Sequence, residues 1–245
     1  MRPNSTPAIL ALLLASLSAS PQNPVPAQSG HFMTFRELLT QRNIDLTEPG
    51  LITALRNQDP HVRYWSALVL AEDKATDAVP AISEALKSET VLEAKASIAL
   101  ALGQLGCQQG FATLKTMCGD RNIPTSLRLY ATMYMLDLDD ESCLNAIFEV
   151  LQSNADSGSR VLALSQLSRF HKVSQDDSQR IVTATLRALA DEMPTVRIAA
   201  SRALSRFPPA VAVPSLQNAI AREQDEGVKI LMQSSLQHLR EQETH

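Results

Sequence analysis

Aromatic side chains are scarce in this chain, at 4% of residues with one tryptophan, whereas hydrophobic residues reach 44%. Strands draw their packing from aromatic and β-branched residues, so a β-sandwich is excluded. The abundance of Ala and Leu predicts thin, closely packed helices. Eight glycines and 13 prolines are too few for a low-complexity chain. There is no basic excess either: 22 Lys and Arg face 26 Asp and Glu, for a net charge of −4, which argues against a nucleic-acid partner. The catalytic signatures Gly-x-Ser-x-Gly and His-Glu-x-x-His and the phosphate-binding loop are missing. The histidines at positions 31, 61, 171, 238 and 245 lack metal-ligand spacing, so no metal and no cofactor are expected.

No apolar run is long enough for a spanning helix, which needs about 20 residues. The run Ala8 to Leu17, preceded by Arg2 and followed by Val25-Pro26-Ala27, instead has the form of a cleavable export signal over residues 1–27, cut before Gln28. Losing Arg2 leaves 21 basic residues against 26 acidic and a charge of −5. An exported product, periplasmic or extracellular, with no stable membrane insertion after cleavage is the expectation. Three cysteines leave at least one unpaired. Cys118 aligns with Leu151 of the next unit, and Cys107 and Cys143 stand at the starts of neighbouring first helices. The expectation is three free thiols in or near the core, with a Cys107–Cys143 bridge as the alternative.

What the chain does have is a sixfold echo. Val62-Arg63, Ala94-Lys95, Leu127-Arg128, Ser159-Arg160, Val196-Arg197 and Val228-Lys229 recur at spacings of 32, 33, 32, 37 and 32. Such a period marks stacked helical units that cannot bury their apolar faces alone. Counting the first member of each pair as position one, position five carries Ser66, Ile98, Ala131, Ala163, Ala200 and Met232. Position nine carries Leu70, Leu102, Met135, Leu167, Leu204 and Leu236. At about 100° per residue these share one face, which must be buried. A second amphipathic segment precedes each, with Asp59-Pro60, Asp156, Pro194 and Asp225 as punctuation for helix, turn, helix. The predicted organisation is a capping segment at 28–46, a solenoid at 47–240 and a frayed tail at 241–245.

The stretch Val196-Arg197-Ile198-Ala199-Ala200-Ser201-Arg202-Ala203-Leu204, with Ala99-Leu100-Ala101-Leu102-Gly103-Gln104-Leu105-Gly106, resembles the short HEAT-like repeats first associated with phycobilisome lyases. First helices such as Ala78-Val79-Pro80-Ala81-Ile82 fit the same pattern. The resemblance covers roughly residues 47–240 and implies an all-α, right-handed α-solenoid of about six HEAT-like hairpins. The family includes scaffolds, adaptors and a few enzymes, so fold alone does not select among them. The resemblance also implies that the basic column is structural.

In that reading Arg63, Lys95, Arg128, Arg160, Arg197 and Lys229 form a ladder, each cation reaching an acid near its preceding turn, such as Asp59, Asp156 or Asp225. An anion-binding track is the competing reading. Positions three and seven lie opposite the buried face and are expected to line the concave side. They hold Tyr64, Leu68, Ala96, Leu100, Leu129 and Met133, then Val161, Ser165, Ile198, Arg202, Ile230 and Ser234. Tyr64, Leu68, Leu100, Leu129 and Met133 make an apolar groove for a helix or peptide. Trp65 flanks the buried face and is expected to pack between the first units. Asp137, Asp139, Asp140 and Glu141, with Asp176 and Asp177, read as solvated helix caps. The functional expectation is a non-catalytic protein-binding scaffold in the cell envelope. Its alternative is lyase-like or chaperone-like handling of a chromophore; a third class, base excision as in HEAT-like DNA glycosylases, conflicts with the charge.

Overall fold

The computed structural model describes residues 33–205 and 207–243. The expected export segment, residues 1–27, lies outside the described residues, as do the first residues of the capping segment. Among the described residues there are thirteen α-helices and one 3-10 turn. Helix α1 (Phe35–Thr40) precedes six hairpins, the first of which pairs α2 (Glu48–Ala54) with α3 (Pro60–Glu72). The 3-10 turn Thr76–Ala78 then leads into α4 (Val79–Ser88) and α5 (Leu92–Gln104). The next pairs are α6 (Gln108–Gly119) with α7 (Thr125–Asp137) and α8 (Leu144–Gln152) with α9 (Ser157–Leu167). The last two are α10 (Gln175–Ala188) with α11 (Pro194–Leu204), and α12 (Pro209–Arg222) with α13 (Glu226–Glu243). Helix α13 runs past residue 240, so Glu241 to Glu243 continue the helix where fraying is expected from sequence.

Short-range chemistry sets the helix starts. Asp59 accepts from the His61 N–H at 2.9 Å, Asp156 from Ser159 at 2.9 Å and Asp225 from Val228 at 3.1 Å. Pro60 and Pro194 fill first-turn positions where no N–H is needed. Three hairpins also end alike, with a residue at positive φ: Lys74 at 56°, Gly106 at 78° and Asp139 at 61°. After each, a 6→1 hydrogen bond closes the helix, from Ala75 to Leu70, Cys107 to Leu102 and Asp140 to Met135.

The second helices α3, α5, α7, α9, α11 and α13 pack against one another in series, while successive first helices meet only sparingly. This makes an α-solenoid whose second helices form the tight inner layer. The positions read as buried are buried: Ser66, Ile98, Ala131, Ala163, Ala200 and Met232 are all at 0% exposure. Helix α5 is buried at Ala94 and from Ala96 to Gly103, with Lys95 left partly exposed between them. It approaches α6 so closely that a Cβ on Gly110 would meet the Ala99 carbonyl oxygen at 2.3 Å. At the amino-terminal end, α1 packs on α3. Trp65 is 6% exposed, with the Arg42 guanidinium 4.4 Å from its ring centroid. Among the described residues no helix is long and apolar enough to cross a membrane.

The cysteines correct the sequence reading. Cys118, at the end of α6, is bonded to Cys143, at the start of α8, and Cys107 is the free thiol. Neither three free thiols nor a Cys107–Cys143 bridge is found. The register places the end of α6 beside the start of the next first helix, a neighbourhood that alignment of the repeats does not reveal. The bridge ties the third hairpin to the fourth across 25 residues, a loop for which chain entropy gives about 3.5 kcal/mol. Thiol titration of denatured, unreduced protein is expected to find one thiol per chain, rising to three after reduction. Cys118→Ala should lower the melting temperature by roughly 5–10 °C, read by circular dichroism.

Candidate partner-binding surfaces

The inner groove expected over Tyr64, Leu68, Leu100, Leu129 and Met133 is closed. Leu68 is 4% exposed, Leu100 2% and Leu129 0%; Tyr64 and Met133 are half-buried. The cause is side-chain size on α5, where Ala94, Ala96, Ala99, Ala101 and Gly103 let the neighbouring helices close over it. Tyr134 of α7 reaches across to Ser97, with its hydroxyl 3.3 Å from the Ser97 hydroxyl. Burial pushes the Tyr134 phenol up, against the lowering effect of the Ser97 hydrogen bond. Positions three and seven therefore point at adjoining second helices in the first half of the stack. They open only later: Ser165, Arg202, Ile230 and Ser234 are exposed, and Val161 and Ile198 are half-exposed.

Four of the six cations in the basic column pair with an acid, and each of those acids comes from the following hairpin. Arg63 grips Glu89 with Nε and Nη2 at 2.7 and 2.8 Å. Arg197 grips Glu223 in the same way, at 2.7 and 2.8 Å. Arg160 holds Asp191 at 2.9 Å, and Arg128 holds Glu149 of α8 at 2.6 Å. Asp59, Asp156 and Asp225, the acids expected from sequence, are occupied in capping their own helices. The guanidinium groups still reach the preceding turn, through carbonyls: Arg63 donates to Asn57 and Gln58, and Arg197 to Asp191 and Glu192. Among the described residues Lys229, on the last hairpin, pairs with Glu226 of its own helix, at 3.7 Å. Lys95 meets no acid among the described residues and makes a 3.4 Å hydrogen bond to the Glu89 carbonyl.

The rungs are held in their charged form. Burial by itself would raise the Glu89 carboxyl, but the Arg63 hydrogen bonds and the N–H groups of Val91 and Thr90 outweigh it, and the pKa falls. Glu149 lies between Arg121 and Arg128, whose hydrogen bonds bring it from 4.5 to about 2. Clefts lie next to these rungs, three of them in gaps between successive first helices and the one at Lys95 between the start of α5, helix α6 and Ile123. Their volumes are about 390 Å³ at Arg63, 400 Å³ at Lys95, 740 Å³ at Arg160 and 550 Å³ at Arg197.

Of the acidic residues read as solvated caps, Asp140 accepts the Ser142 N–H at 2.8 Å and Asp176 and Asp177 stand in the first turn of α10, whereas the other three tie hairpins together. Asp137 pairs with Arg169 at 2.7 Å, Asp139 pairs with Lys172, and Glu141 accepts the His171 and Lys172 N–H groups. Among the described residues no group of three His, Cys, Asp or Glu side chains is placed to hold a metal ion.

These hairpins define the protein as a helical-repeat solenoid. Residues 48–125 match the family of HEAT repeats. No curated protein matches the chain. Among solved structures, it is similar to an engineered protein at 18% identity and a TM-score of 0.48, over 79% of this chain and 96% of that one. Human deoxyhypusine hydroxylase in complex with glycerol is similar at 19% identity and a TM-score of 0.42, over 79% and 74%. The complex of CpcE and CpcF of phycocyanin lyase from Nostoc sp. PCC7120 is similar at 18% and 0.46, over 89% and 92%.

Two predictions follow the ladder. Removing one member of a buried pair costs roughly 3–5 kcal/mol. Arg63→Ala and Arg197→Ala should therefore lower the melting temperature clearly, and Lys95→Met should leave it nearly unchanged. Glu149 has a depressed pKa, so its contribution is complete above its ordinary value of 4.5 and is lost as pH falls through about 2. The melting-temperature gap between the wild-type chain and Glu149→Gln should be open at pH 7 and close between pH 4.5 and 2.

Proposed function

We propose that the chain is a non-catalytic scaffold that holds a protein or peptide partner in the cell envelope, after export to the periplasm or beyond. The observation that carries this reading is the bracing of successive hairpins by Arg63–Glu89, Arg160–Asp191, Arg197–Glu223 and the Cys118–Cys143 bridge. A surface held in this way is largely preformed, so a partner loses little affinity to ordering it. The open surfaces are the outer clefts and the inner face of the last three hairpins, where Val161, Ile198 and Ile230 remain accessible to different degrees. Export is supported by the disulfide, which belongs to oxidising compartments, together with the signal-like residues 1–27.

The test is cross-linking and affinity capture of the tagged full-length chain from its native cells, identified by mass spectrometry, alongside Ile198→Glu/Ile230→Glu. A protein captured by wild type and lost at least tenfold with the double variant supports the scaffold and assigns it the inner face. A purified protein with a bound chromophore, seen by its absorption spectrum, overturns the reading in favour of chromophore handling. For export, fractionation should find the chain outside the cytoplasm, with an intact mass beginning at Gln28.

A further inference from the structure

One rung of the ladder lacks its acid. In three rungs the carboxylate stands six residues ahead of the next cation: Glu89 before Lys95, Asp191 before Arg197 and Glu223 before Lys229. In the equivalent slots before Arg128 and Arg160 stand Asn122 and Asn154. Arg128 compensates by taking Glu149 from within α8. Lys95, which needs slot 122, finds no replacement. The Asn122 side chain donates to Asp120 Oδ1 at 2.9 Å, and both oxygens of Glu89 are engaged by Arg63. Arg121, adjacent in the turn, is itself taken by Glu149 at 2.8 Å.

The unmatched ammonium borders an outer cleft of about 400 Å³ that contains no acidic side chain. Its walls are apolar or uncharged, with Leu92, Ala112, Met117 and Ile123 joined by Thr113 and Thr116. At its edge, next to Leu92, Val91 is 37% exposed, an unusual exposure for a valine in this chain. A cation drawn toward the protein without a counter-ion is costly, and an incoming carboxylate relieves that cost.

We propose that the Lys95 cleft is a docking point for a partner segment that presents a carboxylate next to a bulky apolar side chain. The Asp or Glu of that segment completes the rung on the Lys95 ammonium, as Glu89 does for Arg63. Its apolar neighbour lies against Leu92, Met117 and Ile123, within reach of Val91. Charge complementarity selects this occupant: other paired rungs take a carboxylate, and none of the described residues supplies one here. The inference rests on the protein-binding reading above and names the chemistry of the partner.

The test uses the mature chain as bait for a phage library of random twelve-residue peptides, panned against wild type, Lys95→Met and Lys95→Arg. Wild type should enrich Asp or Glu beside Leu, Ile, Phe or Met. A synthetic consensus peptide should bind Lys95→Met roughly tenfold more weakly, the loss expected for one charged hydrogen bond, while Lys95→Arg retains binding. Thr116→Trp, which fills the mouth without adding charge, should also abolish it. Peptides that bind Lys95→Met and Thr116→Trp as well as wild type would overturn the cleft and leave the scaffold reading standing. Absence of an acidic–apolar consensus overturns it too, including the case in which octanoate, run as a parallel probe by NMR, binds at Lys95. Loss of cellular capture by wild type itself would count against the scaffold rather than the cleft.

Discussion

The close approach of second helices over an alanine- and glycine-lined α5 is the constraint on which the rest of the architecture depends. With Ala94, Ala96, Ala99, Ala101 and Gly103 along it, α5 leaves room for α3 and α7 to pack closely against it. Larger side chains there would force α3 and α7 apart, because a packed interior absorbs added volume only by moving its elements. The consequence is a solenoid with two unlike halves. Its first three hairpins have a sealed inner face, and its last three retain an open one.

Bracing between hairpins divides differently, the middle of the stack departing from both ends. Where the residue ahead of the next cation is acidic, one guanidinium–carboxylate pair joins each hairpin to its successor, as at Arg63–Glu89 and Arg197–Glu223. The third hairpin and its successor have Asn122 and Asn154 in those slots, and two other devices meet there. The Cys118–Cys143 bridge ties α6 to the start of α8, and Glu149 gathers Arg121 and Arg128. Arg128 also donates to the Cys118 carbonyl at 3.1 Å, which joins the two devices directly. The middle of the stack is thus held by covalent and clustered contacts where the repeating pair is missing.

Much of the fold was legible because it rests on contacts between residues close in sequence. The caps at Asp59, Asp156 and Asp225 lie within three residues of the N–H groups they accept, and helical periodicity placed Leu70, Leu102 and Leu204 at 0% exposure. Trp65 also sits where its register placed it, against the first layers. The candidate site was less legible. A helical wheel shows that Leu68 and Leu129 lie away from the first-helix face, but not that the next second helix covers them. The ladder cations were found by their period, whereas their partners are 21 to 31 residues further on, chosen among several acids by how the hairpins stack.

The sequence by itself determined the number of hairpins, their boundaries, the buried column of each second helix and the cations between them. Those properties follow from a period of about 3.6 residues and a repeat of about 32, both of which are written along the chain. Only the tertiary structure decided which cysteines meet, which carboxylate each cation takes, and whether the inner face is open. Each of those depends on the distance between neighbouring helices, which is set by side-chain volumes from two or three hairpins at once.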